Sequence, residues 1–239
     1  MELLQAQFRE LRLHGMSQCW QSLTETRQHT GMTLSDGLNL LLQAERQQRH
    51  NNRSERLRKD ARFRYQASIE ELMFDGVRGL DKSLVGELST GEYIKKGESI
   101  LISGATGCGK SFLASAFGHQ ACAQGYKVAY YNVHKLLIKT KMARLDGTIF
   151  KCFDQLAKTE LLILDDFGLS HLEKQQQTDL MEIIEDRHAR YATIIASQLP
   201  VVSWYDIIGE ETIADAILDR LVHTSHRIEL KGESLRKKM

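Results

Sequence analysis

The stretch Gly104–Ser111 reads GATGCGKS and fits the spacing GxxxxGK[ST]. It lies between an apolar run, ESILISG, and a segment of helical composition, the context in which that spacing binds phosphate. The glycines let the chain turn tightly enough for successive backbone N–H groups to face inward, and the helix start behind them adds its partial positive charge. Lys110 is then expected to reach the β- and γ-phosphates of a nucleotide, with Ser111 on a magnesium ion. The binding set is the loop backbone at Gly104, Gly107, Cys108 and Gly109, followed by Lys110, Ser111 and Phe112. Cys108 reads as a small filler, because the middle positions of the pattern tolerate many residue types. A second constellation, LLILDD, ends four apolar residues in Asp165 and Asp166. Ligands of open α/β sheets collect at such strand ends. Asp165 is the expected holder of Mg²⁺, direct or through water, and Asp166 the carboxylate that orients an attacking water. Two turn aspartates capping the next segment are the alternative.

These groups need elements to hold them. From about residue 68 short apolar runs alternate with helical stretches: ESILISG, a helix from about 110 to 124, KVAYYNV, two further helices, LLILDD, a helix from about 174 to 191, and ATIIAS. That alternation predicts an α/β domain of three layers on a mostly parallel sheet. The one proline, Pro200, can close a strand without breaking a ladder. The last stretch, ILDRLVHTSHRIEL (217–230), reads as helical, with Arg220 early in it. Before residue 68 the pattern is helical throughout. Leu4, Phe8 and Leu11 recur at helical spacing with Gly15 as a stop, and Leu34, Leu38, Leu41 and Leu42 follow a cap at Thr33 or Ser35. The division is therefore a small all-helical domain over 1–67 and an α/β domain over 68–239.

The totals exclude several classes. With 239 residues the chain suits one well-cored domain and a small appendage. A net charge of +1 announces no global affinity for nucleic acid, so any basic surface must be local. Such segregation exists: Arg46, Arg49, Arg53, Arg56, Arg58, Lys59, Arg62 and Arg64 face only Glu55 and Asp60 in RQQRHNNRSERLRKDARFR. HKLLIKTKMAR adds Lys135, Lys139, Lys141 and Arg144. The four cysteines form no CxxC and no Cys/His ligand spacing, so neither a disulfide nor zinc is expected. No apolar run is long enough to read as a signal peptide or a membrane span, and a soluble cytoplasmic protein is expected.

GATGCGKS, LLILDDFG, ATIIASQLP and ILDRLVHTSHRIELKGES together resemble the AAA+ ATPases. Within them the chain resembles the IstB-type helper ATPases of insertion sequences, relatives of the DnaC helicase loaders and DnaA initiators. FRELRLHGM and ARFRYQASIEELMFDGVRGLDKSLVGEL are also similar to that helper family. The resemblance covers nearly the whole chain. It implies ATP bound between neighbouring subunits of a homo-oligomer, with Arg220 as the arginine finger offered to the next subunit, worth ~10³ or more in rate. On residue types alone Arg220 would be an exposed helical arginine paired with Asp215 or Asp219. Arg187 and Arg190 are further candidates for the subunit boundary. Ser197 or Gln198 takes the position that senses the γ-phosphate. Asp166 stands where many AAA+ proteins carry glutamate, which predicts modest turnover. Only nine residues follow Leu230, so no C-terminal helical lid is expected, and FDGVRGL is expected near the adenine. The implied partners are duplex DNA, bound with little regard to sequence through Arg46, Arg49, Arg53, Arg56, Arg58, Lys59, Lys139, Lys141 and Arg144, and a transposase of the same element. The tail LRKKM reads as a solubilising end. A helicase loader is the alternative reading, because it shares the ATPase motifs.

Overall fold

A computed structural model describes residues 2–74 and 78–235. Middle residues of FDGVRGL and the end of the LRKKM tail lie outside the described residues. The chain divides into two compact units, 1–56 and 57–239, the division falling eleven residues before the change of sequence pattern.

The first unit holds α1 (Glu2–Glu10), α2 (His14–Glu25) and, up to Arg56, α3 (Leu34–Ala61). Thr33 caps α3: its Oγ1 accepts from the Asp36 N–H at 3.2 Å. Gly15 does not stop a helix. It lies buried inside α2, where a Cβ would sit 2.4 Å from the Ala44 carbonyl oxygen, so glycine lets α2 cross α3 backbone to backbone. The buried Glu45 carboxylate accepts from Gly15 N–H (2.8 Å) and Met16 N–H (3.3 Å), satisfying donors at the start of α2. Burial works against that charge. The hydrogen bond from Arg49 and those from Met16 and Gly15 outweigh it and hold the carboxyl below the usual carboxylate range.

The second unit is built on five parallel strands in the order β2-β3-β4-β1-β5: β1 (Ser99–Gly104), β2 (Val128–Asn132), β3 (Leu161–Phe167), β4 (Ala192–Ser197) and β5 (Ser225–Leu230). Alternation along the strands feeds two cores. Ile100, Ile102, Ile163 and Ile194 pack on one face with α4 (Lys82–Ser89), α5 (Glu92–Lys96) and α6 (Lys110–Ala123). Leu101, Leu162, Leu164 and Ile195 pack on the other with α7 (Val133–Leu145), α8 (Ile149–Ala157), α9 (Lys174–Arg187), α10 (Trp204–Ile208) and α11 (Glu211–Val222). The three layers follow from that period of two, since each strand buries both faces.

Two expectations need correction. Ser225–Leu230 is not helical: SHRIEL alternates polar with apolar and pairs with β1 from Ser99↔Ser225 to Gly104↔Leu230. The helix expected to reach Tyr191 ends at Arg187, where Ala189 takes a left-handed φ of 55° and the chain turns into β4. Among the described residues, no helix is long and apolar enough to cross a membrane.

Candidate nucleotide site

The loop after β1 takes backbone shapes that only glycine adopts freely, with φ of 146° at Gly104, 82° at Gly107 and 104° at Gly109. Lys110 opens α6 and is buried, its Nζ donating to the carbonyls of Gly104 (2.7 Å) and Ala105 (2.8 Å) across the loop. Cys108 is buried and fills space beside Gly104. Ser111 Oγ donates to Asp165 Oδ1 at 3.0 Å, joining the loop to the acids.

β4 makes that meeting possible. It lies between β1 and β3, so the loop and the acids emerge on either side of it, at the C-terminal ends of the strands. Leu164 pairs with Ile195 and Phe167 with Ser197, so two residues of β3 face one of β4: a bulge at the acids. Asp166 takes a φ of 59° there, a left-handed conformation that aspartate tolerates better than most residues. The bulge turns both carboxylates toward one cluster. Asp165, 1% exposed, accepts from Tyr130 Oη as well as Ser111. Asp166 Oδ2 accepts from Asn132 Nδ2 at 2.9 Å. Burial, and then the Asp165 hydrogen bond and charge, raise the Tyr130 hydroxyl well above its usual range, so it remains a donor.

Arg64 belongs to this cluster. Its Nη1 lies 3.0 Å from Asp166 Oδ2 and 3.5 Å from Asp165 Oδ2. Burial pulls its pKa down, but the charges of Tyr65, Asp166, Asp165 and Tyr130 outweigh that and hold it above the usual arginine value.

The two sensor candidates separate. Ser197 is fully buried, its hydroxyl donating to Phe167 O (2.9 Å) and accepting from Leu199 N–H (3.1 Å). Gln198 Oε1 accepts from Thr106 Oγ1 of the loop at 2.7 Å. Phe112 is half-buried, its ring 6.3 Å from that of Tyr65.

Arg220 stands in the last turn of α11, directly before β5, on a groove of about 970 Å³ that Asp215 and Asp219 also line. Its partners are the Glu185 carboxylate and the Ala216 carbonyl (2.9 Å), in place of the expected Asp215 or Asp219. Arg187 is 1% exposed and donates to the carbonyls of Leu156, Thr159 and Ala192 and to Thr193 Oγ1, so it cannot meet a neighbouring subunit. Burial pushes its pKa down to about 9, which leaves it charged at neutral pH. Arg190 is exposed.

The basic residues of α3, Arg46, Arg49, Arg53, Arg56, Arg58 and Lys59, are all exposed. At about 100° per residue, the first four fall within an arc of about 80°. Arg58 points elsewhere and lines a cavity of about 380 Å³ with His119 and Gln120. On α7, Lys141 is exposed, Lys139 donates to Tyr131 Oη (3.0 Å), and Arg144 is engaged by Asp179 (2.9 Å from Nε).

A parallel sheet in the order β2-β3-β4-β1-β5, a glycine loop opening α6 and paired acids two strands over make up an AAA+-type P-loop fold. The fold is that of the DnaC helicase loader (TM-score 0.58, 19% identity, 70% of this chain and 98% of that one) and of AMPPCP-bound DnaA from Aquifex aeolicus (0.59, 19%, 73% and 53%). Residues 6–239 match the family described as IstB-like ATP binding protein, and the chain belongs to it. It is 42% identical over 225 residues to the insertion-sequence ATP-binding protein y4pL of Sinorhizobium fredii (94% of this chain, 92% of that one). It is 27% identical over 238 residues to the IS21 ATP-binding protein of Pseudomonas aeruginosa (100% and 90%).

Sequence reasoning missed Arg64, Tyr130 and Asn132 as members of the site. Tyr130 and Asn132 had a usable signal, since the strand KVAYYNV ends in polar side chains like LLILDD. Arg64 had none, because it reads as the last member of a basic series that begins at Arg46.

Proposed function

We propose that this chain is a magnesium-dependent ATPase that assembles with further copies on target duplex DNA and recruits and stimulates the transposase of its insertion sequence. One observation carries the reading: Lys110, Ser111, Asp165, Asp166 and Gln198 gather at the C-terminal ends of β1, β3 and β4, in a chain matched from residue 6 to 239 by a family of ATP-binding proteins.

The residues fit the nucleotide and the metal. The glycine turn frees N–H groups at the start of α6, and the Ser111 hydroxyl and Asp165 carboxylate are hard oxygen donors 3.0 Å apart. Mg²⁺ commonly takes one or two such protein ligands and completes its shell with phosphate and water. Among the described residues, no cluster of three or more acidic, histidine or cysteine side chains competes for it. Bound there, Mg²⁺ would neutralise phosphate charge together with Lys110. Asn132 holds Asp166 by one oxygen, leaving the other to orient a water. Gln198, already on the loop, is the better supported sensor, while the Ser197 hydroxyl is committed to the backbone. The partners of Arg220, Glu185 and Ala216, belong to neither the loop nor the acids of its own chain, which supports a role toward a neighbouring subunit. The four arginines on one face of α3 suit phosphate contacts that ignore sequence.

Fluorescence anisotropy of a long duplex of arbitrary sequence, titrated with the protein in ATP and in ADP and followed by sizing, tests the reading. Tight cooperative binding as a large oligomer in ATP only is expected. No binding in either nucleotide would overturn it and favour a helicase loader.

A further inference from the structure

The segment from Arg62 to Ala67 leaves α3 and lies over α6. Phe63 stacks on His119 (centroids 4.2 Å apart) and meets Tyr130 edge-on at 6.1 Å. Its seat exists because residue 118 is glycine: a Cβ there would lie 2.3 Å from the Phe63 ring. Two residues on, the Tyr65 carbonyl is hydrogen-bonded to His119 Nε2 at 3.1 Å. Arg64 is thus pinned between two anchored neighbours, and its guanidinium reaches both acids. A surface arginine held only by solvent-exposed partners would gain little from such a pair. Here the partners are two carboxylates brought together by a bulge, one of them almost wholly buried, and such a pair needs a counter-charge.

We propose that Arg64 is a tethered cation that competes with a divalent ion for the charge of Asp165 and Asp166. The inference rests on the ATPase reading above. Arg64 Nη1 and Ser111 Oγ approach the same Asp165 carboxylate, through Oδ2 and Oδ1 respectively. The ion and the guanidinium therefore compete for the negative charge of one carboxylate, each from its own oxygen. Magnesium held there with phosphates would outcompete the single charge of Arg64, whose side chain would turn away while Phe63 and Tyr65 keep the segment in place. Arg64 is on this account a positioning residue that sets how much magnesium the site requires.

The test titrates Mg²⁺ against a fluorescent, non-hydrolysable ATP analogue bound to the full chain, in wild type and Arg64→Ala. Removing the competing cation should lower the half-saturating Mg²⁺ by about five- to tenfold, within the usual range for coupled ligands. Without metal, the variant's thermal midpoint should fall below that of wild type, and added Mg²⁺ should restore it. An unchanged or raised half-saturating Mg²⁺ overturns the proposal, the raised value marking Arg64 as a phosphate contact. If Arg64→Ala does not fold, Arg64→Gln, which removes the charge and keeps a polar side chain of similar length, carries the same test with the same two outcomes. Wild type that binds the analogue no better than Lys110→Ala at any Mg²⁺ would remove the ATPase reading and this proposal together. Normal wild-type binding with an unmoved Arg64→Ala curve removes the proposal alone.

Discussion

Arg220 is held at the end of α11 by Glu185 and by a carbonyl of its own helix, and it lines a groove. Arg220→Ala is expected to bind ATP like wild type and to lose DNA-stimulated hydrolysis by ~10³-fold, the scale of fingers supplied from a neighbouring subunit. Phosphate release by the pure variant, with and without duplex, measures this. Undiminished stimulated turnover would rule out the finger. Arg187 shows the opposite fate of an arginine in the same region. Its guanidinium serves three carbonyls at the junction of α8, α9 and β4. Arg187→Ala should leave those acceptors unsatisfied in the core and cost roughly 3 kcal/mol or more. A shift of the urea midpoint in the full chain measures it, and a shift no larger than that of an exposed control such as Arg190→Ala would contradict the assignment.

Among the elements, α3 carries two separate tasks. Arg46, Arg49, Arg53 and Arg56 form one exposed basic face, so replacing Arg46, Arg53 and Arg56 with alanine should weaken duplex binding across sequences. The slope of log affinity against log salt should flatten by about 0.9 for each phosphate that the helix no longer neutralises. An unchanged slope would take the helix out of the interface. On its inner side Glu45 joins α3 to the start of α2. Its carboxyl titrates below the unfolded value, so the stability that it contributes is complete above about pH 4.3 and is lost as pH falls through the folded value. Glu45→Gln should therefore unfold at lower temperature than wild type near pH 7, and the gap should narrow toward pH 3. A gap that is constant with pH would mean that the charge contributes nothing.

For the whole molecule, the site is unfinished in one chain if Arg220 serves a neighbour. Nucleotide binding and assembly should then be linked, each strengthening the other. Lys110→Ala, which removes the cation spanning the loop, should remain a small species with ATP and duplex present, where wild type becomes a large one. Light scattering coupled to size separation reads the difference. An equally large Lys110→Ala assembly would break the link.

Sequence alone reached the local conformation wherever spacing is local. GATGCGKS sets one glycine turn and one helix start, and LLILDD carries its own apolar run, so neither needed a partner segment to be recognised. The alternation of short apolar runs with helices was enough for the three layers, because each run buries both faces. Tertiary structure decided what depends on residues far apart in the chain. The insertion of β4 between β1 and β3 brings Gln198 to Thr106, the β3 bulge gives Asp166 its direction, and SHRIEL becomes a strand only because β1 offers an edge. Arg64 and Arg187 make the same point from opposite sides. Both read as surface cations, and only their partners, 101 and 102 residues away for Arg64 and 31 and 28 for Arg187, separate a charge at the site from a charge in the core.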